Sequence, residues 1–188
     1  MTTDDVFRRI VEVLDRAGIP YMLTGSFASS YHGAPRATQD IDIVIAPSPD
    51  QLRALVHFLP KTEYYVDLNA ALEAHTRETQ FNVIDLTTGW KVDFIIRKSR
   101  SFSREEFDRR AAADLHGLRI FIASAEDVVI SKLEWAKLGR SQRQIEDAAG
   151  ILRIRSGELD RDYIKNWVRQ LNLEQEWEAA CREADIDD

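Results

Sequence analysis

Hydrophobic and polar residues follow two different periods along the chain. Up to about residue 123, short apolar runs typical of strands alternate with segments whose apolar residues recur at helical spacing. From Ser124 onward, every amphipathic segment has helical spacing. The pattern predicts an α/β core over residues 1–123 and a helical C-terminal region over residues 124–188. The predicted strands are 21–23, 41–45, 81–86, 90–96 and 118–122.

Local signals set several element boundaries. Ser48-Pro49-Asp50-Gln51 combines a capping serine, a proline at the first helical position and a capping-box glutamine, so a helix is predicted to begin there. Ser103-Arg104-Glu105-Glu106 predicts a second helix start by the same capping box. A weaker pattern indicates a helix over residues 68–77. Thr87-Thr88-Gly89 predicts the turn of a hairpin.

Composition narrows the class of protein. The 188 residues include a single cysteine, Cys181, which excludes a disulfide within the chain and a cysteine-based zinc cluster. No apolar run approaches the ~18 residues of a membrane span. The acidic start, Met1-Thr2-Thr3-Asp4-Asp5, is unlike a signal peptide. We therefore expect a cytoplasmic protein without a membrane partner.

Charge is distributed unevenly along the chain. The net charge is −7, and residues 174–188 carry −6 of it, which disfavours a broadly basic nucleic-acid-binding face. Residues 97–110 are locally basic, with six lysines and arginines. Two interpretations stay open for this segment: a patch that contacts phosphates such as those of a tRNA end, or the solvated face of a helix.

Three aspartates carry the main chemical signal. Asp40 and Asp42 stand two residues apart on a predicted strand, so their side chains share a face. Asp93 lies between Val92 and Phe94 in an apolar run, where a carboxylate is costly unless it is paired or binds a cation. Three converging carboxylates suit Mg²⁺, which prefers oxygen ligands and phosphates. Two such ions would stabilise the attacking and leaving oxygens of phosphoryl transfer.

A glycine-serine turn precedes the aspartates. Gly25 follows an apolar strand and lets the backbone approach a ligand closely. A helix beginning there presents free N–H groups to phosphate oxygens, and the Ser26 hydroxyl adds a donor. An ordinary strand-to-helix turn would have the same sequence. The Walker and Gly-x-Gly-x-x-Gly motifs are both absent, which disfavours P-loop and Rossmann folds.

Taken in order, Gly25-Ser26, Asp40-Ile41-Asp42 and Val92-Asp93-Phe94 resemble the signature of the polymerase-beta-like nucleotidyltransferase superfamily. Gln39 departs from that signature, which has a hydrophobic residue before the first aspartate. The resemblance implies an α+β fold, in which helices flank a small mixed β-sheet and a C-terminal helical bundle follows. It also implies that Gly25 and Ser26 bind nucleotide, and that Asp40, Asp42 and Asp93 are catalytic and bind two Mg²⁺ ions.

The segment from Arg36 to Asp42 is similar to a motif of the AbiEii-type nucleotidyltransferases, the toxins of type IV toxin–antitoxin systems. That resemblance implies a catalytic, nucleotide-binding role for Lys132, nucleotide-binding roles for Arg36 and Asp147, and a cognate toxin or antitoxin partner. The simpler alternatives are that Lys132 is a surface lysine, that Asp147 pairs with Arg143, and that Arg36 pairs with Asp40 or Asp42.

These observations predict a Mg²⁺-dependent nucleotidyltransferase. It would transfer a nucleoside monophosphate from an NTP, such as ATP, to an RNA (tRNA included), a protein or a small molecule, and release pyrophosphate. The non-enzymatic alternative is a catalytically silent nucleotide-binding or interaction module on the same fold.

Overall fold

A computed structural model of the chain describes residues 3–35, 37–38, 40–115 and 117–186. It divides the chain into two compact units. The sheet unit holds the chain up to Thr24 together with Thr38–Ile122, and the helical unit holds Gly25–Ala37 together with the chain from Ala123. The domain boundary predicted from the sequence, at residues 123 and 124, stays a prediction.

All the strands of the described residues lie in the sheet unit and form one sheet, in the order β3-β4-β5-β2-β1-β7-β6. They are β1 (Tyr21–Leu23), β2 (Asp40–Ile45), β3 (Tyr64–Tyr65), β4 (Gln80–Asp85), β5 (Lys91–Ile96), β6 (Ala111–Leu115) and β7 (Leu118–Ile122). The sheet is mixed: β2 runs parallel to β5, and β1 parallel to β7, whereas the remaining neighbours are antiparallel.

The helices are divided between the two units. Those of the sheet unit are α1 (Thr3–Arg16), α3 (Pro49–Phe58), α4 (Leu68–Arg77) and α5 (Ser101–Asp108). Those of the helical unit are α2 (Gly25–His32), α6 (Ala125–Gly139), α7 (Gln142–Arg155), α8 (Arg161–Leu171) and α9 (Glu174–Ala184). None of the helices in the described ranges has the length and apolar character that a membrane span requires.

The core of the sheet unit lies on the two central strands. Ile41, Ile43 and Ile45 of β2 are almost fully buried, and so are Val92 and Phe94 of β5. The apolar stripe of α1, whose phenylalanine, isoleucine and leucine are also buried, adds to this core. Since each buried aliphatic or aromatic side chain contributes about 1.5–3 kcal/mol, this packing fixes the register of β2 against β5.

The core of the helical unit is formed where α6 and α7 pack against each other, with α2 against both. Val129 and Leu133 of α6 and Ala148 of α7 are fully buried. Trp177 of α9 is also buried, and α9 packs against α7. Small residues allow close packing at Gly33, where an added Cβ would lie 3.0 Å from Ile151.

The fold class predicted from the sequence is confirmed. The hairpin around residues 87–89 and the capping box at Ser48 form as predicted, and the weak helix over 68–77 is α4. The capping box predicted at Ser103 is wrong, because α5 begins two residues earlier and Ser103 is buried inside it. The short strands β3 and β6 were not predicted, since neither has an alternating apolar pattern.

Candidate functional site

The predicted aspartates of the sheet unit come together on one face of two neighbouring strands. Asp42 of β2 lies directly opposite Asp93 of β5 in the parallel register, and Asp40 lies opposite Lys91. Because alternate residues of a strand share a face, all four side chains project to the same side of the sheet. We call Asp40, Asp42, Lys91 and Asp93 the strand cluster.

Burial differs across the strand cluster. Asp93 is buried, at 8% exposure, Asp42 is half-buried, and Asp40 is exposed. The opposite face of both strands is apolar, with Ile41 and Val92 fully buried. A slip of one residue would put these apolar groups in place of the carboxylates, so the hydrophobic core fixes where the strand cluster forms.

Lys91 is the member of the strand cluster that sequence reasoning missed. Its ammonium lies 2.9 Å from Oδ2 of Asp93 and 3.6 Å from Oδ1 of Asp40. The hydrogen bond to Asp93 raises the pKa of Lys91 above its ordinary value, although burial opposes part of the rise. The signal was present in the sequence, because residues 91 and 93 must share a face of the strand.

The hairpin that carries Lys91 and Asp93 is anchored by Asp85 at the end of β4. Asp85 is buried, at 1% exposure, and pairs with Arg9. It also accepts hydrogen bonds from the Thr87 hydroxyl at 2.6 Å and from the Thr88 amide at 3.1 Å. Burial raises the pKa of Asp85, but these hydrogen bonds and Arg9 outweigh it, so the pKa lies below its ordinary value.

The strand cluster fits a divalent cation in its chemistry. Its three carboxylates supply the oxygen ligands that Mg²⁺ prefers, and two of them, those of Asp40 and Asp93, already bind a cationic group, the Lys91 ammonium. Within residues 3–35, 37–38, 40–115 and 117–186, no three His, Cys, Asp or Glu side chains are gathered at ligand spacing. Binding of a metal ion there therefore requires the side chains around Lys91 to rearrange.

The glycine-serine turn lies at the start of α2, in the helical unit. Gly25 has a φ of +64°, a left-handed conformation that a residue with a Cβ adopts only with strain. The preceding residue, Thr24, belongs to the sheet unit and donates its amide to the Asp42 carbonyl at 3.0 Å. Ser26 occupies the first turn of α2, where backbone amides have no partner within the helix.

Lys132 and Asp147 are paired inside the helical unit, and we call them the helix pair. Nζ of Lys132 lies 2.7 Å from Oδ2 of Asp147, and the two side chains are only 6% and 10% exposed. Lys132 is therefore a buried residue of α6, and the alternative of a surface lysine is wrong. Arg36, the other predicted nucleotide-binding residue, lies outside the described residues.

Comparison with solved structures identifies the fold. The chain superposes on the antibiotic-resistance factor ANT(2″)-Ia with a TM-score of 0.55 and 14% identity over 93% of this chain and 95% of that one. A nucleotidyltransferase-like protein from Paracoccidioides brasiliensis superposes with a TM-score of 0.53 and 16% identity, over 95% of this chain and 94% of that one. The lincosamide adenylyltransferase LnuA superposes with a TM-score of 0.51 and 13% identity, over 80% of this chain and 98% of that one.

The fold is that of the nucleotidyltransferases. This agrees with the fold that the sequence signature implied. No protein-family model matches the chain. No curated protein matches it in sequence. Similarity to the AbiEii-type branch therefore stays a prediction, as do the roles of the individual site residues.

Proposed function

We propose that the protein is a nucleotidyltransferase that moves a nucleoside monophosphate from an NTP to an acceptor hydroxyl. The observation that carries the proposal is the strand cluster: Asp42 stands opposite Asp93, with Asp40 on the same face, within a nucleotidyltransferase fold. Asp93 is buried and is compensated by the Lys91 ammonium, and a buried carboxylate clustered with other carboxylates favours a functional role.

The carboxylates of the strand cluster would hold Mg²⁺. In this proposal Asp40 and Asp42 hold two ions, and Asp93 completes the shell of one of them. When bound, Mg²⁺ stabilises negative charge on phosphate oxygens and favours ionisation of an attacking hydroxyl. The strands supply the rigid support that phosphoryl transfer requires, since catalysis of this reaction depends mostly on positioning and electrostatics.

The reaction exchanges a phosphoanhydride bond of the NTP for a phosphoester bond to the acceptor. The acceptor oxygen forms a bond to the α-phosphorus of the NTP, and the bond from that phosphorus to the bridging α,β-oxygen breaks. The leaving group is pyrophosphate. Asp93 accepts the acceptor's proton and passes it to water, a role that its position beside the half-buried Asp42 supports.

Residues of the helical unit are proposed to bind the nucleotide. The first-turn amides at Gly25 and Ser26 suit the triphosphate, because the N-terminus of a helix attracts anions. Lys132 would offset charge on the departing pyrophosphate, and Asp147 holds its ammonium. Arg36 would contact a phosphate through its planar guanidinium.

The acceptor class remains a choice between RNA, protein and small molecule. Two proteins of the same fold are seen with antibiotics: ANT(2″)-Ia with adenylyl-2″-tobramycin, at a TM-score of 0.51, and LnuA with lincomycin. A small-molecule hydroxyl is therefore the first acceptor to test. A tRNA end and a cognate toxin or antitoxin protein, as the AbiEii-type resemblance implies, are the second and third.

Transfer of label from each α-³²P NTP tests the proposal. The purified protein is incubated with Mg²⁺ and, separately, with tobramycin and lincomycin, with total RNA, and with lysate protein. We expect label on one acceptor class, together with pyrophosphate release. Asp93→Asn should abolish transfer, whereas Asp50→Asn, which changes an aspartate with a 99% exposed side chain, should not.

A silent module is the second candidate, and one observation favours it: Lys91 already binds two of the three carboxylates. Calorimetry separates the two functions. Tight NTP binding without pyrophosphate release in any acceptor mixture would support the silent module and would refute the enzyme.

A further inference from the structure

The strand cluster contains its own cation. Three aspartates on one face of two adjacent strands repel one another, and Asp42 and Asp93 are direct cross-strand neighbours. The Lys91 ammonium offsets part of this repulsion through its contacts with Asp93 and Asp40. A cation bound by the strand cluster would have to neutralise the same two carboxylates.

The position of Lys91 follows from the strand itself. Its Cα is in register with Asp40, and it stands two residues before Asp93, so both contacts are made from the same face of the sheet. A slip of the register would remove both contacts. This arrangement distinguishes Lys91 from a surface lysine that meets an acid by chance.

The exposure of the Lys91 side chain allows its ammonium to move away from the aspartates. Its side chain is 38% exposed, so its ammonium can exchange the aspartates for water. Retaining the ammonium beside a divalent cation would place like charges next to each other, and their repulsion is strong at so short a distance. The ammonium and a divalent cation therefore compete for the same carboxylates.

We propose that Lys91 is a built-in counter-cation of the strand cluster, which must release Asp40 and Asp93 before a divalent cation can bind them. The inference rests on the proposed function, because it takes the aspartates to be the metal ligands. Its consequence is that Lys91 weakens the binding of a bare metal ion while it stabilises the metal-free protein.

Mn²⁺ titration of the purified full chain tests this without any turnover. The free ion is measured by electron paramagnetic resonance, with no nucleotide or acceptor present. We expect Lys91→Met to bind Mn²⁺ at least tenfold more tightly than the wild type. Lys91→Arg, which retains a cation, should bind as weakly as the wild type. Lys61→Met, a change of an exposed lysine in the same unit, should have no effect.

Thermal unfolding supplies a second readout. In EDTA, Lys91→Met should unfold at a lower temperature than the wild type. Saturating Mn²⁺ should raise the unfolding temperature of Lys91→Met by more than it raises that of the wild type. Asp93→Asn added to Lys91→Met should remove the gain in Mn²⁺ affinity. If Lys91→Met does not fold, Lys91→Gln replaces it in both measurements.

The possible results separate the two proposals. Equal or weaker Mn²⁺ binding by Lys91→Met, with clear binding by the wild type, would overturn the counter-cation role and leave the proposed enzyme intact. Failure of every variant to bind Mn²⁺ at millimolar concentration, with ATP present as well, would overturn both proposals.

Discussion

The strand cluster and the helix pair both bring a lysine against aspartate, and they show how burial changes the meaning of such a contact. In the strand cluster, the side chain of Lys91 is 38% exposed, and it contacts two aspartates of unequal burial. In the helix pair, Lys132 and Asp147 are at most 10% exposed and lie 2.7 Å apart. Asp93 and Asp147 are about equally buried, so the difference lies in the lysines: water reaches the ammonium of Lys91 but hardly that of Lys132.

This difference separates an exchangeable contact from a fixed one. Water can solvate the Lys91 ammonium when it leaves its aspartates, but the buried Asp93 carboxylate then needs another cation, so the contact can be exchanged for a metal ion. Separating the helix pair would break a contact between two charges that are both buried, which is costly. The strand cluster therefore suits a site whose ligands change during a reaction, whereas the helix pair holds a lysine in one place.

Breaking the helix pair gives the largest expected effect. Lys132→Met removes the buried ammonium that lies 2.7 Å from Asp147, which should lower the free energy of unfolding by about 3–5 kcal/mol. Urea unfolding followed by tryptophan fluorescence measures it, because Trp135, Trp167 and Trp177 all lie in the helical unit.

Two variants control this prediction. Glu146→Gln changes the exposed neighbour of Asp147 and should alter stability by less than about 0.5 kcal/mol. The double change Lys132→Met with Asp147→Leu removes both charges and should recover most of the loss. A small effect of Lys132→Met alone would mean that the two contacts do not differ in the way that their burial indicates.

A substitution in the strand cluster should change the rate of nucleotide transfer much more than it changes stability. Asp42→Asn removes a charge that the proposed reaction uses, so nucleotide transfer should fall by about 10²–10³-fold, as expected for losing one preorganised electrostatic group. The melting temperature should change little, because Asp42 is only half-buried. Unchanged transfer by a well-folded Asp42→Asn protein would remove this aspartate from the site.

Acid should affect the strand cluster through the hairpin that carries it. The pKa of Asp85 lies below its ordinary value, so its contribution is present at neutral pH and is lost as the pH falls below about 4. At pH 7, Asp85→Asn should cost about 1–3 kcal/mol, because Arg9 loses its charged partner. Urea titrations between pH 7 and pH 3 should show the free energies of unfolding of the wild type and Asp85→Asn converging as the pH falls. A difference that stays constant with pH would contradict the prediction.

The smallest expected effect belongs to Asp40. Its side chain is 55% exposed, and its oxygen lies 3.6 Å from the Lys91 ammonium. Asp40→Asn in metal-free buffer should therefore change the free energy of unfolding by less than about 1 kcal/mol. A loss as large as that of Lys132→Met would show that the strand cluster is a structural ion network.

The sequence was sufficient for the parts of the fold that depend on local periodicity. The two central strands and the C-terminal helices have clear apolar patterns, and the fold class is confirmed. The strand β6 was missed because Ala111-Ala112-Ala113 has weak strand propensity, and only its pairing with β7 defines it. The membership of α2 in the helical unit depends on long-range packing, which no local pattern encodes.

The candidate site was predictable where strand geometry decides it. The two-residue spacing of Asp40 and Asp42 places them on one face, and the apolar neighbours of Asp93 marked it as unusual. The contact of Lys132 with Asp147 joins residues 15 positions apart on separate helices. The resemblance implied a nucleotide-binding role for Asp147, and the structure adds its contact with Lys132.

The chain passes between the two units at Thr24–Gly25, at residues 37–38 and at Ile122–Ala123. Neither unit is thus a single continuous stretch of sequence. A fragment ending at Ile122 would retain α2, with its buried Ala28 and Ser29, but would lose α6 and α7, against which α2 packs. Expression of either half as a simple truncation would expose an apolar helix face, so mutational work on this protein needs the intact polypeptide.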